Sequence, residues 1–211
     1  MAGILASQVF VEFSTLLILV LALGLAIVMS YRYVRKHSKP LLFWSTGMWF
    51  FVVGVLLEVL FAFGAYSELL IALYLFVVAM VVESLALGSM QLVKSGRLRT
   101  SYYIYSIIAA ALLAYSLYAS NIGNVITNHI VFGALPVSVV VTSSIITFPA
   151  AAILIAIAAI SYLHKHSAKM LSIIAGVLVV SVAGTLYIAA MPSFLYYSEF
   201  IGILLLWLGF I

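Results

Sequence analysis

Cysteine and aspartate are both missing from this chain of 211 residues, and charge of either sign is scarce. Without Cys, disulfides, thiol nucleophiles and thiolate metal sites are excluded. Without Asp, the side-chain carboxylates reduce to Glu12, Glu58, Glu68, Glu83 and Glu199. Charged residues are 7% of the chain, against about 25% in an ordinary soluble domain. No H-E-x-x-H, G-x-S-x-G or Walker pattern occurs, and no paired catalytic carboxylates stand out, so an enzyme is not expected and no catalytic residue is assigned. His37, His164 and His166 fall in basic inner connections and His129 in the long outer one, so no metal or haem site is expected in an apolar interior, and no cofactor.

What the chain does have is apolar length. Apolar residues make up 67% of it, and mean hydropathy is +1.36, which places it in a lipid bilayer. A spanning helix needs about 20 mainly apolar residues. That ruler gives seven segments, at 8–31, 41–65, 67–93, 101–120, 137–163, 169–191 and 194–211. All nine Lys and Arg residues fall in the first, third and fifth connections, at Arg32–Pro40, Lys94–Arg99 and His164–Lys169. Alternate connections lie on one side of a membrane, so the positive-inside rule puts these three in the cytoplasm, the N-terminus outside and the C-terminus inside. The basic pI near 9.3 is thereby read as topology, with no nucleic acid partner. Segment one lacks a basic n-region and a small-residue cleavage pattern, so it reads as a retained helix and not a signal peptide. Trp44, Tyr66, Tyr102, Tyr103, Tyr105, Tyr118, Tyr196 and Tyr197 sit near segment boundaries, as an interfacial aromatic belt would.

A short basic motif is written twice. Tyr33 to Ser38 reads Y-V-R-K-H-S, and Tyr162 to Ser167 reads Y-L-H-K-H-S. An offset of 129 residues also aligns Ser14–Ile18 with Ser143–Thr147 and Gly47 with Gly176. At an offset of 131, Y-S-E at Tyr66–Glu68 meets Y-S-E at Tyr197–Glu199. Local roles explain each motif separately: Ser38, Ser167, Ser67 and Ser198 as helix N-caps, and Glu68 and Glu199 as acids in a first turn. Three matches in nearly one register favour duplication. The chain then divides into a first three-helix repeat (1–93), a linker helix with an outer loop (94–136) and a second three-helix repeat (137–211), the two repeats running parallel.

This all-α, seven-helix, 3+1+3 arrangement resembles the SWEET and PQ-loop transporters, and more distantly the wider grouping that includes microbial rhodopsins. The resemblance covers the whole chain through topology and repetition. It departs from the PQ-loop pattern in having no Pro-Gln pair, and from rhodopsins in having no Lys in the last segment to hold retinal. It implies alternating access between two three-helix units. The region from Arg32 to Glu58 also looks loosely like the seven-helix sensor modules that precede histidine kinases.

Ionisable groups inside a span are functional candidates because lipid tolerates them poorly. Glu58 lies about 26 Å along segment two, in its outer part. Gly47, Gly54 and Glu58 share one helical stripe, which places the acid beside a close helix contact. Glu83 falls in the inner part of segment three, bordering a stripe of Ser84, Gly88 and Gln91. Glu58 and Glu83 are thus expected as outer and inner polar stations of a transport path that also includes Ser84, Gln91, Thr147 and Pro149. Glu12, Glu68 and Glu199 are candidates for an outer vestibule, or else reach headgroups singly. In T-S-S-I-I-T-F-P, Thr142 to Pro149, the proline frees a carbonyl that Ser or Thr hydroxyls can satisfy.

These readings describe a multi-pass integral protein of the cytoplasmic membrane, a small-solute or ion transporter. Its expected partners are the bilayer, other membrane subunits or a second copy of itself. Two alternatives stand beside it: a non-catalytic subunit of a larger membrane complex, and a seven-helix sensor module.

Overall fold

The structure is a computed structural model that describes residues 8–65, 67–122, 126–127, 130–131, 135–165, 169, 171–173, 175–176, 178–179 and 192–210. Tyr66, His129, His166, Ser167 and the second half of segment six lie outside the described residues. Six helices are bounded: α1 (Gln8–Lys36), α2 (Lys39–Ala62), α3 (Glu68–Met90), α4 (Gly96–Ala119), α5 (Val137–Lys165) and α6 (Pro192–Phe210). The described residues between 169 and 179 are helical as well. Five helices are long and apolar enough to cross a membrane: Glu12–Lys36 within α1, α2, α3, α4 and Val137–His164 within α5; Tyr196–Phe210 is a shorter apolar helix. The long connection carries one two-residue antiparallel ladder, Ile126–Thr127 with Ile130–Val131, a small exception to the all-α expectation.

Helix ends follow local chemistry. α1 runs through the basic cluster and stops at His37, whose positive φ of 47° lets its N–H reach the Tyr33 carbonyl at 2.7 Å. Ser38 occupies the N-cap of α2 but its side chain makes no capping bond; Pro40, at the start of the helix, needs no N–H partner there. α2 ends on Gly64, φ 81°, with Ala65 N–H on the Leu60 carbonyl and Gly64 N–H on that of Phe61, both at 2.9 Å. This is a Schellman closure, which requires a left-handed residue at that place. Ser67 caps α3 by accepting from Leu70 N–H at 3.3 Å. Ser198 has no such role. α6 begins six residues earlier, at Pro192, so Ser198 and Glu199 lie inside the helix and the second Y-S-E is not a helix start.

Pairwise contacts fix the helix directions. Ser30 meets Trp49, Trp44 meets Ser89, Gln91 meets Tyr103 and Ser120 meets Ser138, so α1 to α5 run alternately up and down. α6 lies beside α1 and parallel to it: Trp207 Nε1 donates to the Leu21 carbonyl at 3.0 Å, and the Arg32 guanidinium donates to the Phe210 carbonyl. A cation at a helix C-terminus also complements the helix dipole. The nine Lys and Arg residues therefore gather at one end of the bundle, the end where α6 finishes.

The core divides by depth. In the basic half, Leu25, Met29, Met48, Leu85, Leu154 and Ile203 meet at the centre. In the other half Leu57, Phe61, Ile71, Leu113 and Ile146 do so. Outward, Phe13, Ile27, Ile107, Phe148 and Leu163 are each more than half exposed. Large side chains of this kind around a whole bundle suit lipid and not water.

Close helix approaches occur at glycines. A Cβ on Gly47 would stand 3.2 Å from Ser84, Leu85 and the Val81 carbonyl of α3, and one on Gly176 would stand 3.2 Å from Leu205 and Leu206 of α6. A Cβ on Gly88 would enter the Trp44 indole and come 3.0 Å from the Pro40 carbonyl. One on Gly209 would meet Ile173 and come 3.1 Å from the Lys169 carbonyl. Small residues that let backbones approach are the usual means of helix association in lipid, where no hydrophobic drive exists between helices.

Candidate functional site

The stripe of Gly47, Gly54 and Glu58 on α2 faces α3 along its length. Gly54 lies against Val77 and Val78, and one turn further on the Glu58 carboxyl meets Tyr74, whose hydroxyl donates to Oε1 at 2.6 Å. From α6, Glu199 comes to the same place, its carboxyl within side-chain hydrogen-bonding reach of Glu58. Glu58 is 5% exposed and Glu199 8%. Oε2 of each receives no N–H or O–H from any described residue. Tyr196, 3% exposed, lies within electrostatic reach of both acids. Ile18, Val55 and Ala62 pack with it as an apolar wall.

Glu199 is therefore not an acid of a first helical turn. Two full turns of helix precede it, and they carry it into the bundle beside Glu58. Glu68 is exposed at the start of α3 and Glu12 is half-buried on α1.

Glu83 forms a second station. It is fully buried on the face of α3 turned to α4, where Ser106 Oγ donates to Oε1 and the Tyr102 hydroxyl donates to Oε2 at 3.0 Å. The i, i+4 spacing of Tyr102 and Ser106 presents both hydroxyls on one helix face. Tyr105 stacks on Tyr102 with ring centroids 5.8 Å apart. Ser84 is on a different face, against Gly47 of α2, and Gln91 donates to the Tyr103 hydroxyl at 2.7 Å near the basic end. Glu83, Ser84 and Gln91 thus meet different neighbours: α4, α2 and Tyr103 at the basic end.

Thr147 and Pro149 belong to a local arrangement in α5. Thr147 Oγ1 donates to the Ser143 carbonyl of its own helix at 3.0 Å. Pro149 has no N–H for the Ile145 carbonyl four residues back. The donor that replaces it is the Tyr105 hydroxyl of α4, and not the Ser or Thr hydroxyls of α5. Tyr105→Phe is expected to lower stability by about 1 kcal/mol, the scale of an interhelical hydrogen bond in lipid. In a Pro149→Ala background, where the helix supplies its own N–H, the same change should cost less; thermal unfolding in detergent measures both.

Several interior partners were invisible in the sequence because their type also suits the membrane interface. Trp44, Tyr102 and Tyr196 were expected in an aromatic belt. Instead Tyr102 and Tyr196 are buried beside acids, and Trp44 Nε1 donates to the Leu85 carbonyl and Ser89 Oγ at 3.2 and 3.3 Å. Tyr118, 90% exposed, and Tyr197, 54%, do face outward.

The two stations occupy opposite halves of the bundle. Tyr74 and Glu83 are nine residues apart on α3, about 14 Å in depth. Every α3 residue from Leu75 to Val82 between them is apolar, and Val52, Val55, Val77 and Val81 are buried at the seam. No protein-family model, curated protein or solved structure matches this chain.

Proposed function

We propose that this polytopic membrane protein is a small-solute or ion transporter working by alternating access, with Glu58 at its outer station and Glu83 at its inner one. The observation that carries the reading is the pair of buried acidic stations at two depths with an apolar layer between them. Buried acids are costly in lipid and are kept where they serve a polar task. A dry layer between them suits a closed state of a protein that opens to each side in turn, and not a standing pore.

Pseudo-symmetry supports the same mechanism. Pro40, Trp44 and Gly47 stand to Ser84, Leu85 and Gly88 much as Lys169, Ile173 and Gly176 stand to Leu205, Leu206 and Gly209. The first group maps on the second at an offset of 129, as the basic hexapeptides do, and the α3 residues map on α6 at 121 in place of 131. Two units sharing one seam geometry can rock against each other around sites between them. The basic end faces the cytoplasm on the positive-inside rule.

Flux of protons and monovalent cations into proteoliposomes tests the reading. Glu58→Gln and Glu83→Gln are each expected to slow it by about tenfold or more, since ~1.4 kcal/mol lost at the limiting step has that effect. Unchanged flux in both variants would remove the proposal.

A further inference from the structure

We infer that the Glu58–Glu199 pair is a proton-binding site, the two carboxyl groups holding one proton between them in an O–H···O bond. This deepens the transport reading and rests on it for its purpose, while the binding itself is read without any flux.

Two carboxylates brought together in a dry site repel each other unless a cation or a proton lies between them. No cationic side chain fills that role among the described residues. Every Lys and Arg is at the opposite end of the bundle, and described His37 and His164 lie there too. Among the described residues, the titratable groups facing the pair are Tyr74 from α3 and Tyr196 from α6. α2 adds Val55 and Ala62 to the surroundings, and α1 adds Ile18; the acid of α1, Glu12, lies six residues before Ile18. The ladder strand that packs near α2 carries Ile130 and Val131.

The donor set favours a proton over a metal ion. Calcium takes six to eight oxygens and magnesium a near-ideal octahedron that retains waters. Here four carboxyl oxygens converge, one of them already taken by Tyr74, and the other described residues packed at the site are aliphatic or aromatic. No group of three or more His, Cys, Asp or Glu is assembled among the described residues. A proton needs only one oxygen from each acid, and Oε2 of each is without a donor among the described residues. Once the seam between α2 and α6 admits water, the bridging O–H gives its proton to a water molecule, leaving two solvated carboxylates and one hydronium ion. Closure reverses the step.

Infrared difference spectroscopy of the purified protein, titrated with acid, tests this directly. Among its protonated-carboxyl C=O components, the wild type should show one that belongs to the pair, shifting to lower frequency in D2O. Glu58→Gln and Glu199→Gln should each abolish that same component, because a Gln amide donates to the surviving carboxylate and removes its need for the proton. Tyr74→Phe should shift its frequency, and Glu83→Gln should leave it in place. Retention of every carboxyl component in both pair variants would overturn the inference. So would saturable loss of the component on adding sodium or calcium ions at fixed pH, which would make the pair a metal site. If the component behaves as expected but flux does not depend on Glu58, the transport reading fails and the proton site stands.

Discussion

Gly88→Ala is expected to destabilise the folded protein by about 1–3 kcal/mol, the usual cost of forcing a methyl into a packed seam. The added Cβ would stand 3.0 Å from the Pro40 carbonyl and 2.6 Å from Trp44 Nε1. The carbonyl belongs to the first turn of α2 and cannot yield without moving the helix. Nor is the indole free to turn aside, because its N–H is committed to Leu85 and Ser89 and its ring packs on Phe210, 5.2 Å between centroids. Gly209→Ala should behave alike, since its new methyl meets the Lys169 carbonyl and Ile173 N, both at 3.1 Å. Gly54→Ala is the control. Its nearest neighbour would be Val78 at 3.5 Å, an ordinary contact, so the helix propensity gained by alanine should leave stability unchanged or slightly raised. Thermal unfolding in detergent that ranked Gly54→Ala as the worst of the three would contradict this packing.

The seam also shows what the sequence can and cannot disclose. Apolar length placed five long helices to within a few residues at most ends, because a bilayer sets one scale for all of them. It missed the basic ends of α1 and α4, where Arg and Lys continue the helix into the polar interface and hydropathy alone sees only a loop. The contact face of α2 was legible because Gly47 and Gly54, seven residues apart, share one stripe with Glu58, and Gly47 does sit at a close approach to α3. The partner of Glu58 was not. Y-S-E at Tyr197–Glu199 imitates the cap at Ser67, and only Pro192, which starts α6 earlier, turns Glu199 from a surface acid into a buried one. Tyrosines carry the same ambiguity: an amphipathic ring suits a headgroup and a buried carboxyl equally well, and spacing alone does not separate Tyr102 from Tyr118.

Removing the Glu83 carboxyl altogether should cost more than neutralising it. In Glu83→Ala the Ser106 and Tyr102 hydroxyls lose their acceptor in a site with no exposure, and each unsatisfied group costs about 1–3 kcal/mol. The missing side chain leaves a cavity between α3 and α4 as well, adding to the loss unless the helices close on it. Glu83→Gln keeps the shape and one acceptor oxygen, and its amide can in turn donate to a hydroxyl, so most of the stability should survive. The two effects separate in a further variant. Adding Ser106→Ala and Tyr102→Phe to Glu83→Ala removes the stranded hydroxyls and should recover part of the lost stability, whereas the same pair of changes in wild type should only destabilise. Absence of that recovery would mean the hydroxyls do not depend on Glu83. If Glu83→Gln nevertheless slows flux while unfolding like wild type, the ionisable group at the inner station serves passage and not packing.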